Sequence, residues 1–329
     1  MAFLYRHGAD EMLMHAFGDL WIQVRLEITT VIESIDTIGR ETAVQTLDKK
    51  VAVITGGASG LGLAMARSFA AQGMRLVLAD IEDAPLQKAV GQLVWDGTPA
   101  IGVRCDVSKA ADVEALAARA FDTYGAVHIL CNNAGVAPGG LAWENTVADW
   151  EWCLGVNVYG VIHGLRSFVP RMLKQGDAGH IVNTASVAGL LSPPNMAAYC
   201  VSKHAVVTLS ECLYQDLRMQ NASIGVSVLC PAYVPTGISD SERNRPDALK
   251  NPERALTPEE IARKEQMRHA VQSGRITADQ VAQMVLESVR EGRFYIVTHE
   301  KIKAAIEVRM QDILLGRKPT DTFSPRKAS

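Results

Sequence analysis

From residue 50 onwards, short runs that are apolar on both faces alternate with longer amphipathic stretches, and this rhythm limits the folds open to the chain. The runs VAVIT (51–55), RLVLAD (75–80), AIGVRCD (100–106), VHILCN (127–132), HIVNTAS (180–186), IGVSVLC (224–230) and FYIVT (294–298) predict seven strands. Helical periodicity lies between them at 61–72, 84–94, 108–124, 146–174, 198–219 and 277–291. Strands without a polar face need cover on both sides, which a parallel sheet with crossover helices provides. Right-handed crossovers then predict one doubly wound α/β domain with a seven-stranded parallel sheet, spanning 49–317 and followed by a tail, 318–329.

Two segments fall outside the rhythm. Residues 237–275 are rich in charge and interrupt the alternation just after the sixth strand, where a substrate lid would fit; a solvated surface insertion is the alternative. Before the first strand, residues 1–48 form an extension. In it Leu13, Phe17, Leu20, Trp21, Val24, Ile28, Val31, Ile32 and Ile35 recur at steps of three and four. That is one apolar face of a helix over about 12–38, and water alone cannot cover it. Acids outnumber arginines there, which disfavours an anionic lipid surface and favours packing on the same subunit or across an oligomer interface. A misassigned start codon, with the natural protein beginning near residue 45, is the competing reading.

Composition removes several classes of function. The net charge of −3 provides no basic field for nucleic acid, and no apolar run is long enough to span a membrane. The N-terminal stretch lacks the clean apolar core and cleavage site of a secretory signal. Cysteines at 105, 131, 153, 200, 212 and 230 contain no C-x-x-C, and the eight histidines contain no H-x-x-x-H. Reduced, buried thiols in a cytoplasmic protein without a metal site are therefore expected.

The first strand runs into TGGASGLG (55–62) and then directly into a helix. Gly56, Gly60 and Gly62 permit a tight turn and close approach of backbone to an anion, with the helix N-terminus aimed at a diphosphate; Ser59 and Leu61 complete the loop. Glycine at a strand-to-helix turn can also serve packing alone. The second strand ends at Asp80, 18 residues past Gly62. A carboxylate there can accept both ribose hydroxyls of an adenosine and repels a 2′-phosphate. Neither Ser59 nor Ile81 supplies a cation for that phosphate, so NAD(H) is expected over NADP.

Tyr199 and Lys203 stand four residues apart in AAYCVSKHAV, one turn apart on a helix face. Alone this is an ordinary pair. In context, the order of motifs resembles the short-chain dehydrogenase/reductase family in its T-G-x-x-x-G-x-G form, over about residues 48–317. NNAG (132–135) is similar to the family's fourth-strand motif, which implies that Asn133, Ala134 and Gly135 line the cofactor. Asp106-Val107 matches the pair that contacts adenine. VNVYG puts Asn157 in the place of the family's catalytic asparagine, and NTASVAG puts Ser186 thirteen residues before Tyr199, a family spacing. PAYVPT (231–236) corresponds to Pro-Gly-x-x-x-Thr; it implies nicotinamide contacts from Pro231, Val234 and Thr236, while Ala232 in the glycine position puts the local backbone geometry in question.

What the resemblance implies is a Rossmann oxidoreductase with a tetrad of Asn157, Ser186, Tyr199 and Lys203. Tyr199 would be the general acid/base, its phenol (ordinarily near ~10) brought down by the Lys203 ammonium and the positive nicotinamide ring. Lys203 would also grip the nicotinamide ribose. Ser186 would hydrogen-bond the substrate oxygen, and Asn157 would fix a water that links Lys203 to solvent. The apolar segments GLLSPPNMAAY and AYVPTGI predict a hydrophobic alcohol or ketone as substrate. TGISDSERNRP and the late FYIVTHEKIKAAIEVRMQDILLGRKP resemble a bacterial branch that includes aryl-ether Cα-dehydrogenases. The competing functions are a 3-oxoacyl-carrier-protein-type reductase, which Asp80 opposes, and a non-catalytic nucleotide sensor on the same fold. A homodimer or homotetramer is the expected assembly.

Overall fold

The computed structural model describes residue 44 and residues 46–322. The N-terminal helix expected over 12–38 lies outside them, as does most of the C-terminal tail. Seven strands are present: β1 (Val51–Thr55), β2 (Arg75–Asp80), β3 (Ala100–Arg104), β4 (Ile129–Asn132), β5 (Gly179–Thr184), β6 (Ile224–Cys230) and β7 (Tyr295–Val297). They form one all-parallel sheet in the order β3-β2-β1-β4-β5-β6-β7. The order reverses between β1 and β4. Crossovers from these neighbours leave in opposite directions, which opens a crevice beyond their carboxyl ends.

Alternation along the strands builds two apolar layers. On one face Ala52, Ile54, Leu76 and Leu78 pack with α1 (Gly60–Ala70), α2 (Asp83–Trp95) and α8 (Ala278–Glu291), with Met65, Phe69, Leu86 and Val285 fully buried. On the other face Val51, Val53, Val77 and Ala79 meet α3 (Ala110–Tyr124), α5 (Gly160–Gln175) and α6 (Ala197–Met219), through Leu116, Phe168 and Val206. Burial of both faces is why β1 up to Thr55 and the middle of β2 are continuously apolar.

The helix expected over 146–174 is divided. After α4 (Val147–Leu154) the chain makes a π turn, Gly155–Tyr159, before α5 begins. Apolar periodicity does not register one residue added within a helix. Two further helices were not expected: α7 (Pro258–Gln272), within 237–275, and α9 (Ile302–Leu314). For α7 a signal existed, since Thr257 caps the helix in a capping box with Glu260 and Pro258 stands at its first turn. Its apolar stripe is weak because much of its cleft-facing side is charged. Among the described residues no helix is long and apolar enough to cross a membrane, and no group of His, Cys, Asp and Glu could hold a metal ion.

Candidate active site

The loop after β1 is shaped by glycine. Gly56 and Gly60 have φ of +64° and +51°, the left-handed region that side chains disfavour. At Gly62 a Cβ would lie 2.0 Å from the Gly56 carbonyl oxygen, so the turn closes onto α1 only where that atom is missing. Ser59 precedes α1 without making a side-chain cap, and no acid stands in the first turn. The helix therefore keeps donors and positive dipole for an anion. Asp80 is buried at the rim, with Oδ2 accepting from Ala58 N at 3.0 Å and Oδ1 from Glu82 N at 3.1 Å. Its remaining lone pairs are free to receive hydroxyls.

The NNAG segment braces this loop from β4. Thr55 Oγ1 accepts from Asn133 N and Ala134 N, while Asn133 Nδ2 donates to Thr55 O at 2.9 Å. Gly135 leaves a gap into which a Cβ would come 3.3 Å from Asn157 Oδ1 and 3.5 Å from Lys203 Nζ. Asp106 Oδ1 accepts from Ser108 N and Oγ, which turns the chain out of β3; that strand ends at Arg104, two residues earlier than expected. Ala232 is not among the residues with positive φ, so alanine in the family's glycine position requires no left-handed backbone.

A cleft of about 1340 Å³ runs from this loop across the carboxyl ends of the strands. Gly56, Ser59, Gly60, Leu61, Asp80, Asp106, Val107, Asn133, Ala134, Gly135, Pro231, Val234 and Thr236 all line it, with Ser186, Tyr199 and Lys203 on the same wall. Gly62 and Asn157 do not. Gly62 is buried in the turn, and Asn157 sits behind the wall in the π turn, 1% exposed.

Tyr199 and Lys203 occupy successive turns of α6, with Lys203 Nζ 5.6 Å from the Tyr199 ring centroid. Nζ donates to Thr184 O at 2.8 Å. Ser186, just past β5, accepts from Ala188 N and donates to Pro231 O at 3.3 Å. In the protein alone the phenol is not acidified: burial pushes Tyr199 up to about 12, opposed by the Ser186 hydrogen bond. The expected lowering needs the nicotinamide ring as well as Lys203, and burial is what the two must outweigh. Burial brings Lys203 itself down to about 8, and its ammonium is engaged by the Thr184 carbonyl. Asn157 Oδ1 accepts from Val136 N at 2.8 Å, and Nδ2 donates to Val136 O and Ser202 Oγ, both at 2.9 Å. Its side chain clips the β4 loop to α6, so a water bound there would need the backbone carbonyl.

Segment 237–275 forms the opposite wall, which sequence reasoning left without detail. Arg243 grips Glu82 beyond β2, with Nη2 to Oε2 at 2.8 Å. Arg245, 6% exposed, pairs with Asp149 of α4 at 2.7 Å and lies 5.0 Å from the Trp152 ring. Arg263 and Arg268 are partnered by Glu144 and Asp240. The end of the cleft beside this wall is thus mixed: Val136, Trp152, Pro193, Met196, Tyr233 and Met267 are apolar, and the arginines beside them are compensated.

A nucleotide crevice that leads directly to a tyrosine–lysine pair is the arrangement of a nicotinamide-dependent oxidoreductase. Residues 50–247 match the sequence model of the short chain dehydrogenases, and the chain belongs to the short-chain dehydrogenase/reductase family. A family member from Burkholderia phymatum, solved in complex with NAD, is 52% identical with a TM-score of 0.83, covering 85% of this chain and 99% of that one. The CLA biosynthesis dehydrogenase/reductase of Lactiplantibacillus plantarum is 33% identical over 272 residues, 82% of this chain and 95% of its own length. The C alpha-dehydrogenase of a Sphingobium species is 33% identical over 278 residues, 83% and 88% respectively.

Proposed function

We propose that the protein is an NAD(H)-dependent dehydrogenase that interconverts a hydrophobic secondary alcohol and its ketone. The observation that carries this reading is the convergence of Ser186, Tyr199 and Lys203 on the cleft that the glycine loop and Asp80 begin. The cradle fits a dinucleotide: uncapped helix donors face the diphosphate position, and Asp80 retains acceptors for the adenosine ribose. NAD(H), when bound, supplies the two-electron hydride chemistry. Oxidation of an alcohol also releases a proton, and Tyr199 is the group that accepts it from the substrate hydroxyl and returns it in the reverse direction. With a phenol held near 12, the tyrosine is a proton donor first. Removing its proton at neutral pH requires added positive charge beside it, which the oxidised nicotinamide ring carries.

Ser186 orients the substrate oxygen by hydrogen bonding, at the side where negative charge develops. Lys203, anchored on Thr184 O, holds the nicotinamide ribose and keeps a positive charge one turn from the phenol. Asn157 holds the β4 loop against Ser202 and thereby positions Lys203. Segment 237–275 acts as a lid, and its apolar residues with those of the β4–α4 region receive the substrate body. The Sphingobium relative is named a C alpha-dehydrogenase, which supports oxidation at a carbon centre. We read the assembly as a homodimer or homotetramer.

The test follows NADH absorbance across bulky secondary alcohols, steroids and hydroxyacyl thioesters. Turnover of at least one secondary alcohol with NAD⁺ is expected, and Tyr199→Phe should cut it by at least a hundredfold with NADH binding retained. More than a tenth of the rate surviving in Tyr199→Phe would sink the acid/base assignment. Turnover of hydroxyacyl thioesters alone, with NADP⁺, would favour the carrier-protein reductase instead.

A further inference from the structure

Asp80 is one half of the cofactor-selecting apparatus, and the structure contains a feature that would work against it. Segment 237–275 brings an arginine to the adenosine end of the cleft. Arg243 lines the same cleft as Asp80, Ser59 and Gly60, with its side chain 42% exposed and so within reach of a ligand. A guanidinium there is the group that a 2′-phosphate on the adenosine ribose would seek, because its planar fork matches phosphate geometry. An unpaired Arg243 would therefore invite NADP(H) into a site whose carboxylate rejects it.

Glu82 prevents this. Its backbone N–H is held by Asp80 Oδ1 at 3.1 Å, which fixes it two residues beyond the selecting carboxylate. Its own carboxylate takes Arg243 Nε at 3.2 Å and Nη2 at 2.8 Å, and Asn244 Nδ2 donates to the same group at 3.1 Å. The remaining terminal nitrogen, Nη1, donates to Gly237 O and Asp240 O. Every nitrogen of the guanidinium has a protein acceptor, and its charge is compensated. The pair persists across neutral pH, since the hydrogen bond from Arg243 holds the Glu82 carboxyl below the usual glutamate range.

Resting on the reading of this cleft as an NAD(H) site, we infer that Glu82 is a second cofactor-specificity residue, which excludes NADP(H) by occupying and neutralising the lid residue Arg243. Asp80 acts by direct repulsion. Glu82 acts by denying the 2′-phosphate its cation. The inference predicts a dependence that no effect of Glu82 alone would produce: its removal matters only while Arg243 is present.

The experiment measures NADH and NADPH dissociation constants by nucleotide fluorescence in four proteins: unmodified, Glu82→Gln, Arg243→Met and the double variant. Melting curves check that each variant is folded. The readout is the ratio of the NADPH to the NADH constant. Glu82→Gln should lower this ratio by roughly tenfold, the scale of a hydrogen bond to a charged group. In the Arg243→Met background the same substitution should lower it by less than about threefold, the residue of simple charge removal at a partly exposed site. A ratio unmoved by Glu82→Gln overturns the inference, and so does an equal drop with and without Arg243. Equal affinity of the unmodified protein for the two nucleotides would instead overturn the NAD(H) reading itself.

Discussion

Gly62→Ala tests whether the glycine loop is shaped for close approach or carries glycine incidentally. The added Cβ would stand 2.0 Å from Gly56 O and 2.8 Å from Asn133 Nδ2. An ordinary contact needs about 3.5 Å, so some backbone must move by roughly 1.5 Å. Helix α1 cannot easily give way, because Met65, Ala66 and Phe69 are fully buried in the layer shared with α8. The loop at Gly56 is the softer side, and it is the part that would hold the diphosphate. Overpacking of this kind costs about 1–3 kcal/mol. Where that cost falls on the bound geometry, NADH affinity drops roughly 5- to 150-fold, at about 1.4 kcal/mol per tenfold. The control is Gly91→Ala. Gly91 is exposed on α2, and a Cβ there meets nothing within 4 Å. Alanine in an exposed helix interior should stabilise by up to about 1 kcal/mol and leave affinity alone. The assays are NADH fluorescence titration and thermal melting of both variants. NADH bound by Gly62→Ala within threefold of the unmodified protein, with an unchanged Tm, would refute the steric argument.

Arg245→Met keeps the packing on Trp152 but leaves the Asp149 carboxylate without its buried cation, with only Asn251 and the Thr146 N–H as polar partners. Breaking such a pair costs about 3–5 kcal/mol, and the lid can relieve it by opening. Protease cleavage within 237–275 should therefore accelerate at least tenfold, and NADH plus a substrate analogue should slow it; an unchanged cleavage rate would mean that Arg245 does not fasten the lid. Acid should destabilise the protein through His180. Its Nε2 donates to Ser227 Oγ, which itself donates to Arg293 O, and its Nδ1 has no partner, so protonation would bury an unpaired N–H. Burial lowers its pKa from 6.5 to about 3. The depressed pKa means that the unfolded chain binds the proton first: this stabilisation is full well above pH ~6.5 and is lost as pH falls through 6.5 towards 3. Between pH 6.5 and 5 the unmodified protein should lose about 1.6 kcal/mol more than His180→Gln by urea unfolding, and parallel losses would remove His180 as the cause.

Legibility in the sequence followed how local each constraint is. The glycine loop was readable because a strand, three glycines and a helix lie within about twenty residues, and Tyr199 and Lys203 because a helical turn joins them. The central strands were readable because burial on both faces leaves short, largely apolar runs, as in VAVIT and IGVSVLC. Errors fell where the pattern carries no such imprint. The π turn at Gly155–Tyr159 changes the path of a helix without altering its composition. Helix α7 lacks a strong apolar stripe because the cleft it borders is partly charged, although its Thr257–Glu260 capping box was visible. At Tyr199 sequence shows the neighbouring lysine but not the burial that pushes the phenol up in the protein alone.

The fold class, the nucleotide loop and the acidic residue closing β2 are written in local patterns, since hydrophobic period and backbone permissiveness are properties of short stretches. Which charges face one another was decided by tertiary structure. Glu82 and Arg243 are 161 residues apart, and Asp149 and Arg245 are on different walls of the cleft. Electrostatic and hydrogen-bond energies depend on distances of a few ångströms between such groups, and only the crossovers of the folded sheet bring those distances into being.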